Sequence, residues 1–253
     1  MFFKSIILTI GLTGLISSTA YGAQCEHFED KSGSITISGI KCDGAFLGTI
    51  TYTTTDGIII ETETDILGTA DFDTLVYTGK RIYTDGSWDE GTFRGGEFIS
   101  GKVKVIYDSG NTYEGEWSND NPNGYGTDTF DNGTYVGNFS NGKRQGTGRY
   151  SFNNGDYQDG QWKDDEFISG KRKVTYDSGN THEGEWSNDK ANGYGTYTFG
   201  NGSYVGNFRN GKCHGTGRYS YNDGGYEDGQ WAYSDFESGR FKEVDGRDII
   251  EGR

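Results

Sequence analysis

The chain has 253 residues, a formal net charge of −15 and 31% hydrophobic residues. Aromatic residues make up 15%, with 43 glycines and one proline, which excludes collagen, Pro-rich linkers and, because of the rings, a disordered chain. Thirty-eight acids against 23 bases leave little to neutralise phosphates, so no nucleic-acid partner is expected and an anionic membrane is disfavoured.

Residues 1–22 read as a secretory signal peptide. Lys4 supplies the positive start, and an apolar stretch runs from Ile6 to Ile16. Cleavage is expected after Ala20 or Gly22. The apolar run is far shorter than the roughly 20 residues of a spanning helix. Export places the cysteines in an oxidising space, and a secreted or periplasmic location follows. Cys25 and Cys42 are expected to form a disulfide, with two free thiols as the alternative. The closed loop of 18 residues would contribute about 3 kcal/mol in the chain-entropy model. Cys213 is left over as a free or intermolecular thiol.

Residues 23–84 read as a small β-rich cap of degenerate hairpins. Thr49 to Thr55, the turn Asp56-Gly57 and Ile58 to Thr64 predict one hairpin. Residues 85–246 are repetitive. Residues 107–172 align with 176–241 at an offset of 69, with 46 of 66 positions identical. Within each block an aromatic-Gly-aromatic core recurs, at Tyr113-Glu-Gly115-Glu-Trp117, Tyr135-Val-Gly137-Asn-Phe139 and Tyr157-Gln-Asp-Gly160-Gln-Trp162. It recurs at His182, Tyr204 and Tyr226, and an earlier copy begins at Trp88. The steps are 25, 22 and 22, twice over, a spacing typical of repeat architectures. A second element follows each core, such as Gly146-Thr-Gly148 with Tyr150 and Phe152. Turns are expected at Asp131-Asn132-Gly133, Asn153-Asn154-Gly155, Gly200-Asn201-Gly202 and Asn222-Asp223-Gly224.

Strand neighbours alternate faces. Tyr113, Gly115 and Trp117 therefore share one face, as do Gly146, Gly148, Tyr150 and Phe152. Glu114, Glu116, Thr147, Arg149 and Ser151 take the other. Glycine opposite a ring leaves room for the ring to lie flat over backbone. The units at Trp88, Tyr157 and Tyr226 carry an inserted acid (Glu90, Asp159, Asp228), read as bulges that bend the sheet. Residues 247–253 form a tail.

The pattern Y-x-G-x-W/F, a polar loop, G-x-x-x-G-x-G and a D/N-G turn resembles the MORN repeat, in about seven units over residues 85–246. His214 matches the histidine often found before the motif's second glycine. The resemblance implies an all-β fold, an elongated single-layer twisted antiparallel sheet of stacked hairpins. It also implies scaffolding, dimerisation or membrane association.

Catalytic chemistry finds little support. His182 occupies the ring slot held by Tyr113, and no two histidines have metal-ligand spacing. Cys213 and His214 are strand neighbours that point apart. Glu114 with Glu116, and Glu183 with Glu185, read as a solvated face, offset by Lys102, Lys104, Lys171 and Lys173. Asn119-x-Asn121-x-Asn123-Gly124 lacks the acid of a calcium loop, with Phe130 in its place. No enzyme activity, metal or cofactor is expected. The expected function is an exported scaffold for protein–protein interaction, with a homodimer as one mode. A cell-surface glycan-binding or lipid-surface module is the alternative. The candidate binding groove is lined by Trp117, Trp162, Trp186, Trp231, Tyr135 and Tyr204, rings on the glycine-bearing face.

Overall fold

A computed structural model describes residues 16–20, 23–32, 35–42, 45–53, 59–61, 63–67, 76–94, 97–243 and 248–251. The chain divides into two compact units, Met1–Asp128 and Thr129–Arg253. The described residues form antiparallel strands joined by turns, with no helix among them.

The first unit holds β1 (Ile16–Ala20), β2 (Ala23–Ser32), β3 (Ile35–Cys42), β4 (Ala45–Thr53), β5 (Ile59–Glu61), β6 (Glu63–Leu67), β7 (Val76–Ile82), β8 (Trp88–Arg94), β9 (Glu97–Ile106) and β10 (Thr112–Ser118). The chain then enters β11 (Asn121–Phe130). The expected hairpin is present: β4 pairs with β5 and β6 in one continuous register, Tyr52 opposite Ile60 and Ala45 opposite Leu67. Pairing runs past residue 85 without a break, β5 to β7 and β7 to β8. Residues 1–15 of the expected signal peptide lie outside the described residues; Ile16–Ala20 pair with β2. Cys25 and Cys42 are register partners across β2 and β3.

The second unit holds β12 (Gly133–Ser140), β13 (Lys143–Phe152), β14 (Tyr157–Lys163), β15 (Glu166–Thr175), β16 (Thr181–Ser187), β17 (Lys190–Phe199), β18 (Gly202–Arg209), β19 (Lys212–Tyr221), β20 (Tyr226–Ala232), β21 (Asp235–Lys242) and β22 (Asp248–Glu251). Each pairs with the next, a meander of stacked hairpins.

The side-chain alternation holds residue by residue. Along β12 the buried positions are Gly133, Tyr135, Gly137 and Phe139, and the residues between them are more exposed. A file of glycines runs across the strands at mid-height: Gly137, Gly148, Gly160 and Gly170, then Gly184, Gly195, Gly206, Gly217, Gly229 and Gly239. The first ring of each regular repeat lies over this file. A Cβ on Gly148 would run into the Tyr135 phenol. The glycines thus let a sheet build a core on its own face: Tyr135 and Tyr204 are 0% exposed.

Two features differ from the sequence reading. The tight turns whose two central residues both take positive φ are, among the described residues, Asn119-Asp120, Asn141-Gly142, Asp164-Asp165, Asn188-Asp189, Asn210-Gly211 and Tyr233-Ser234. They close what reads in sequence as a polar loop. Asn132 and Asn201, in the expected turns, stay out of that region. Those segments still connect adjacent strands, so β12 to β21 are joined throughout by short hairpin connections. The inserted acids, moreover, are not bulges. Asp159 sits in register between Arg149 and Lys171, and Asp228 between Arg218 and Arg240. The register shifts fall elsewhere, between Gln161 and Trp162 and between Gln230 and Trp231. Regular repeats shift too, between Gly137 and Phe139 and between Gly206 and Phe208.

Candidate interaction faces

The ring-bearing face is built by one device repeated. Tyr135 lies over Gly137 and Gly148, and its hydroxyl donates to the Asn138 carbonyl at 3.1 Å. Tyr204 does the same over Gly206 and Gly217, donating to Asn207 at 3.1 Å. In the first unit Tyr113 donates to the Glu116 carbonyl at 2.7 Å. Each phenol thus buries its ring and still satisfies its polar end. Burial pushes the hydroxyls of Tyr113 and Tyr204 well above the ordinary phenol value.

Five of the six rings expected to line a groove are buried within the chain: Tyr135, Tyr204, Trp162, Trp186 and Trp231. Trp162 meets Tyr135 edge to face at 5.2 Å, and its indole N–H donates to the Gly148 carbonyl at 2.9 Å. Trp231 repeats this on Tyr204 and Gly217, at 5.2 Å and 2.9 Å. Trp186 packs in one cluster with Tyr204, Phe208, Cys213 and Trp231. Trp117 alone of the six is only partly buried, 5.8 Å from Tyr113.

The opposite face carries a second pattern. Charges alternate in sign from strand to strand, along Arg149, Asp159, Lys171 and Glu185. Arg149 and Asp159 approach to 2.9 Å. In the first unit Lys80, Glu90, Lys102 and Glu116 do the same. Unlike charges directly opposite one another support cross-strand pairing. Tyr157 and Tyr226 belong to this face, although the motif groups them with Tyr113. The inserted acid shifts them by one residue, and a one-residue shift reverses facing. Arg149 lies 4.2 Å over the Tyr157 ring and Arg218 4.1 Å over Tyr226.

Two tyrosines on this face escaped the sequence reading. Tyr125 and Tyr194 are 57% and 58% exposed. Each stands between two glycines of Gly-Tyr-Gly, the second of which faces a first ring, Gly126 that of Tyr113 and Gly195 that of His182. Strand alternation alone sends the tyrosine outward, so the signal was present in the motif. The backbone N–H of Tyr194 donates to Glu185 Oε2 at 3.0 Å, and that of Tyr125 to Glu116 Oε2 at 3.0 Å. The carboxylate fills the space beside Gly193, whose φ is +111° and where a Cβ would collide with it. These tyrosines are therefore held at the backbone while their rings stay in solvent. Val205, 37% exposed, shares the face.

Among the described residues no group of three or more His, Cys, Asp or Glu could hold a metal ion. Asn121 and Asn123 donate their side-chain amides to the carbonyls of Asn119 and Ser118, at 2.8 and 2.9 Å; they brace a turn. Cys213 is buried opposite Phe208, and burial pushes its thiol up. His27 lies in the segment whose side chains are outside the described residues.

Comparison with curated proteins finds no match. The family model of the MORN repeat matches residues 113–134, 135–157, 182–203 and 204–226. It passes over 158–181, the repeat with the inserted Asp159 and with Arg172 in place of a motif glycine. Such repeats are protein- and membrane-interaction modules rather than enzymes, and residues 113–226 of this chain carry four MORN repeats.

Proposed function

We propose that the chain is an exported, non-enzymatic scaffold that binds proteins, a second copy of itself included. The carrying observation is the exposure of Tyr194 and Tyr125, each on the charged face of its own unit. A tyrosine with an anchored backbone and a free ring presents area at low entropic cost, and tyrosine is enriched among interface hot spots. Alternating charges around it suit a partner with a polar rim. The segments beginning at Trp88, Tyr157 and Tyr226 extend the four matched repeats to seven, a reading supported by the same strand pairing and glycine pairs. Export is supported by the character of residues 1–22. A Cys25–Cys42 disulfide is supported by their register, since partners in an antiparallel pair have Cα atoms about 4.5–5.5 Å apart, within disulfide range. Mass mapping of protein from its native compartment reads that bond directly, and finding both thiols free would overturn it.

The test of function compares the wild-type chain with Tyr125→Ser/Tyr194→Ser in sedimentation velocity and in crosslinking from the native envelope or medium. Both proteins should melt alike. Self-association, or one crosslinked partner, should be present in the wild type and weakened at least tenfold in the variant. Equal association by both proteins overturns this assignment. Saturable, salt-resistant binding to phosphatidylserine vesicles would replace the protein partner by a lipid surface.

A further inference from the structure

His182 is the one first-ring position of the second unit's matched repeats that is not tyrosine. Its ring is 2% exposed. It lies over Gly184 and Gly195 as Tyr204 lies over Gly206 and Gly217. Tyrosine in that slot spends its hydroxyl on a main-chain carbonyl. Histidine is too short to do so. Instead Nδ1 accepts the indole N–H of Trp186 at 2.9 Å. An indole nitrogen only donates, so Nδ1 is bare and the ring proton of the neutral form resides on Nε2. That Nε2 is buried without a hydrogen-bond partner among the described residues.

The surroundings do nothing to favour a cation. On β16 itself, Glu183 and Glu185 point to the other face. There Glu183 accepts the Tyr157 hydroxyl at 3.0 Å and Glu185 the Tyr194 N–H. From β15, Val174 stands opposite His182, and Arg172 presents its guanidinium 4.6 Å over the Trp186 ring. From β17, the Tyr197 ring lies 6.1 Å away, and from β18 the Phe208 ring 4.7 Å away, edge to face. Tyr204 joins the same cluster beyond Phe208, at 5.2 Å from it. Among the described residues the charged group facing His182 is thus a cation. A proton added at Nδ1 would meet the Trp186 N–H head on, in a site with no carboxylate and next to Arg172.

We propose that His182 is an acid-sensitive latch: its protonation breaks the Trp186 hydrogen bond and opens the ring cluster of Trp186, Tyr197 and Phe208 in the second unit. Desolvation first, and Arg172 second, lower the His182 pKa from 6.5 to about 4. The unfolded chain therefore takes up the proton more readily than the folded one. The stability held by the neutral ring is whole above pH 6.5 and drains as the pH falls toward 4. Between pH 7 and pH 5 this group alone raises the ratio of unfolded to folded by about 20-fold. The latch is independent of what the outer face binds and of whether the chain is exported.

The experiment measures denaturant unfolding of the full chain, followed by tryptophan fluorescence, at pH 7 and pH 5. Wild type is compared with His182→Tyr, which restores the arrangement at Tyr204, and with His182→Phe, which keeps a buried ring without a titrating group. Acid destabilises all three through their many carboxylates, so the difference is decisive. Wild type should lose about 20-fold more than either variant. An equal loss in all three overturns the latch. Should the variants fail to fold, the NMR shift of the wild-type His182 Cε1 proton is followed against pH. A midpoint well below 6.5 supports the proposal, and one at or above 6.5 overturns it.

Discussion

The repeats that start at Tyr135 and at Tyr157 are neighbours made of nearly the same parts. In the first, Tyr135 lies over the glycine file and is fully buried. In the second, Asp159 is inserted between the tyrosine and the glycine. Gly160 and Trp162 keep their inward places opposite Gly148 and Gly146. Tyr157 is turned outward, under Arg149 and bonded to Glu183. Trp162 then leans back onto Tyr135. One residue thus divides the labour: the regular repeat supplies the ring over the glycines, and the inserted repeat supplies its cover and the charged row outside. The same division recurs at Tyr204 and Tyr226. A strand converts an insertion into a change of face because its side chains alternate with period two.

The largest test of this division replaces the two tyrosines in turn. Tyr135→Ala should cost about 3–5 kcal/mol, as for a large buried aromatic. Tyr157→Ala should cost about 1 kcal/mol or less, as for an outward side chain losing one cation–π contact and one exposed hydrogen bond. Denaturant unfolding measures both, and equal costs would erase the distinction. Glycine substitutions sharpen it next. Gly148→Val drives a side chain into Tyr135 and should cost about 1–3 kcal/mol or more. Gly200→Ala, where nothing lies within 4 Å of the added Cβ, should stay within about 0.5 kcal/mol of wild type. The smallest effect belongs to the outer row. Asp159→Asn should cost about 0.2–1 kcal/mol at low salt, and the difference should fade as salt is raised. A cost that salt leaves untouched would mean that Asp159 acts by its shape.

Much of this architecture is legible in the chain. The repeat period, the parity of Tyr113, Gly115 and Trp117, and the fit of rings over glycines follow from spacing alone. What failed to read has local causes. Asn-Gly predicts a tight turn correctly, but two such signals per repeat compete. The pair at Asn141-Gly142 takes the positive φ values, while Asp131-Asn132 turns without them. Asp159 looks like a bulge because sequence shows an extra residue and not the partner charges, Arg149 and Lys171, that hold it in register. The groove lined by Trp162, Trp186 and Trp231 read as open because a single sheet has no second layer. Rings lying flat over glycine need none, and Tyr125 and Tyr194, the tyrosines between glycines, are instead among those left in solvent. His182 read as a structural ring, and the structure agrees that it fills a ring's place; its distinctive chemistry depends on the indole N–H of Trp186, which spacing does not reveal.

The hairpins have a consequence for how the chain reaches this state. Every described strand of the second unit finds its partner in the next strand along, two to five residues beyond a turn. Sheet proteins usually fold slowly because distant segments must meet before any contact rewards them. Here the closing loops are among the shortest possible, and their entropic cost is correspondingly small. Each pair can form as soon as its second strand leaves the ribosome, and the pairs β12–β13 and β18–β19 bury a tyrosine over two glycines at once. Neighbouring pairs then add stepwise, as expected of a quasi-one-dimensional array. Assembly of this sheet is therefore a zipper with many starting points, in which a slow or damaged repeat delays its neighbours and leaves the distant ones free to form.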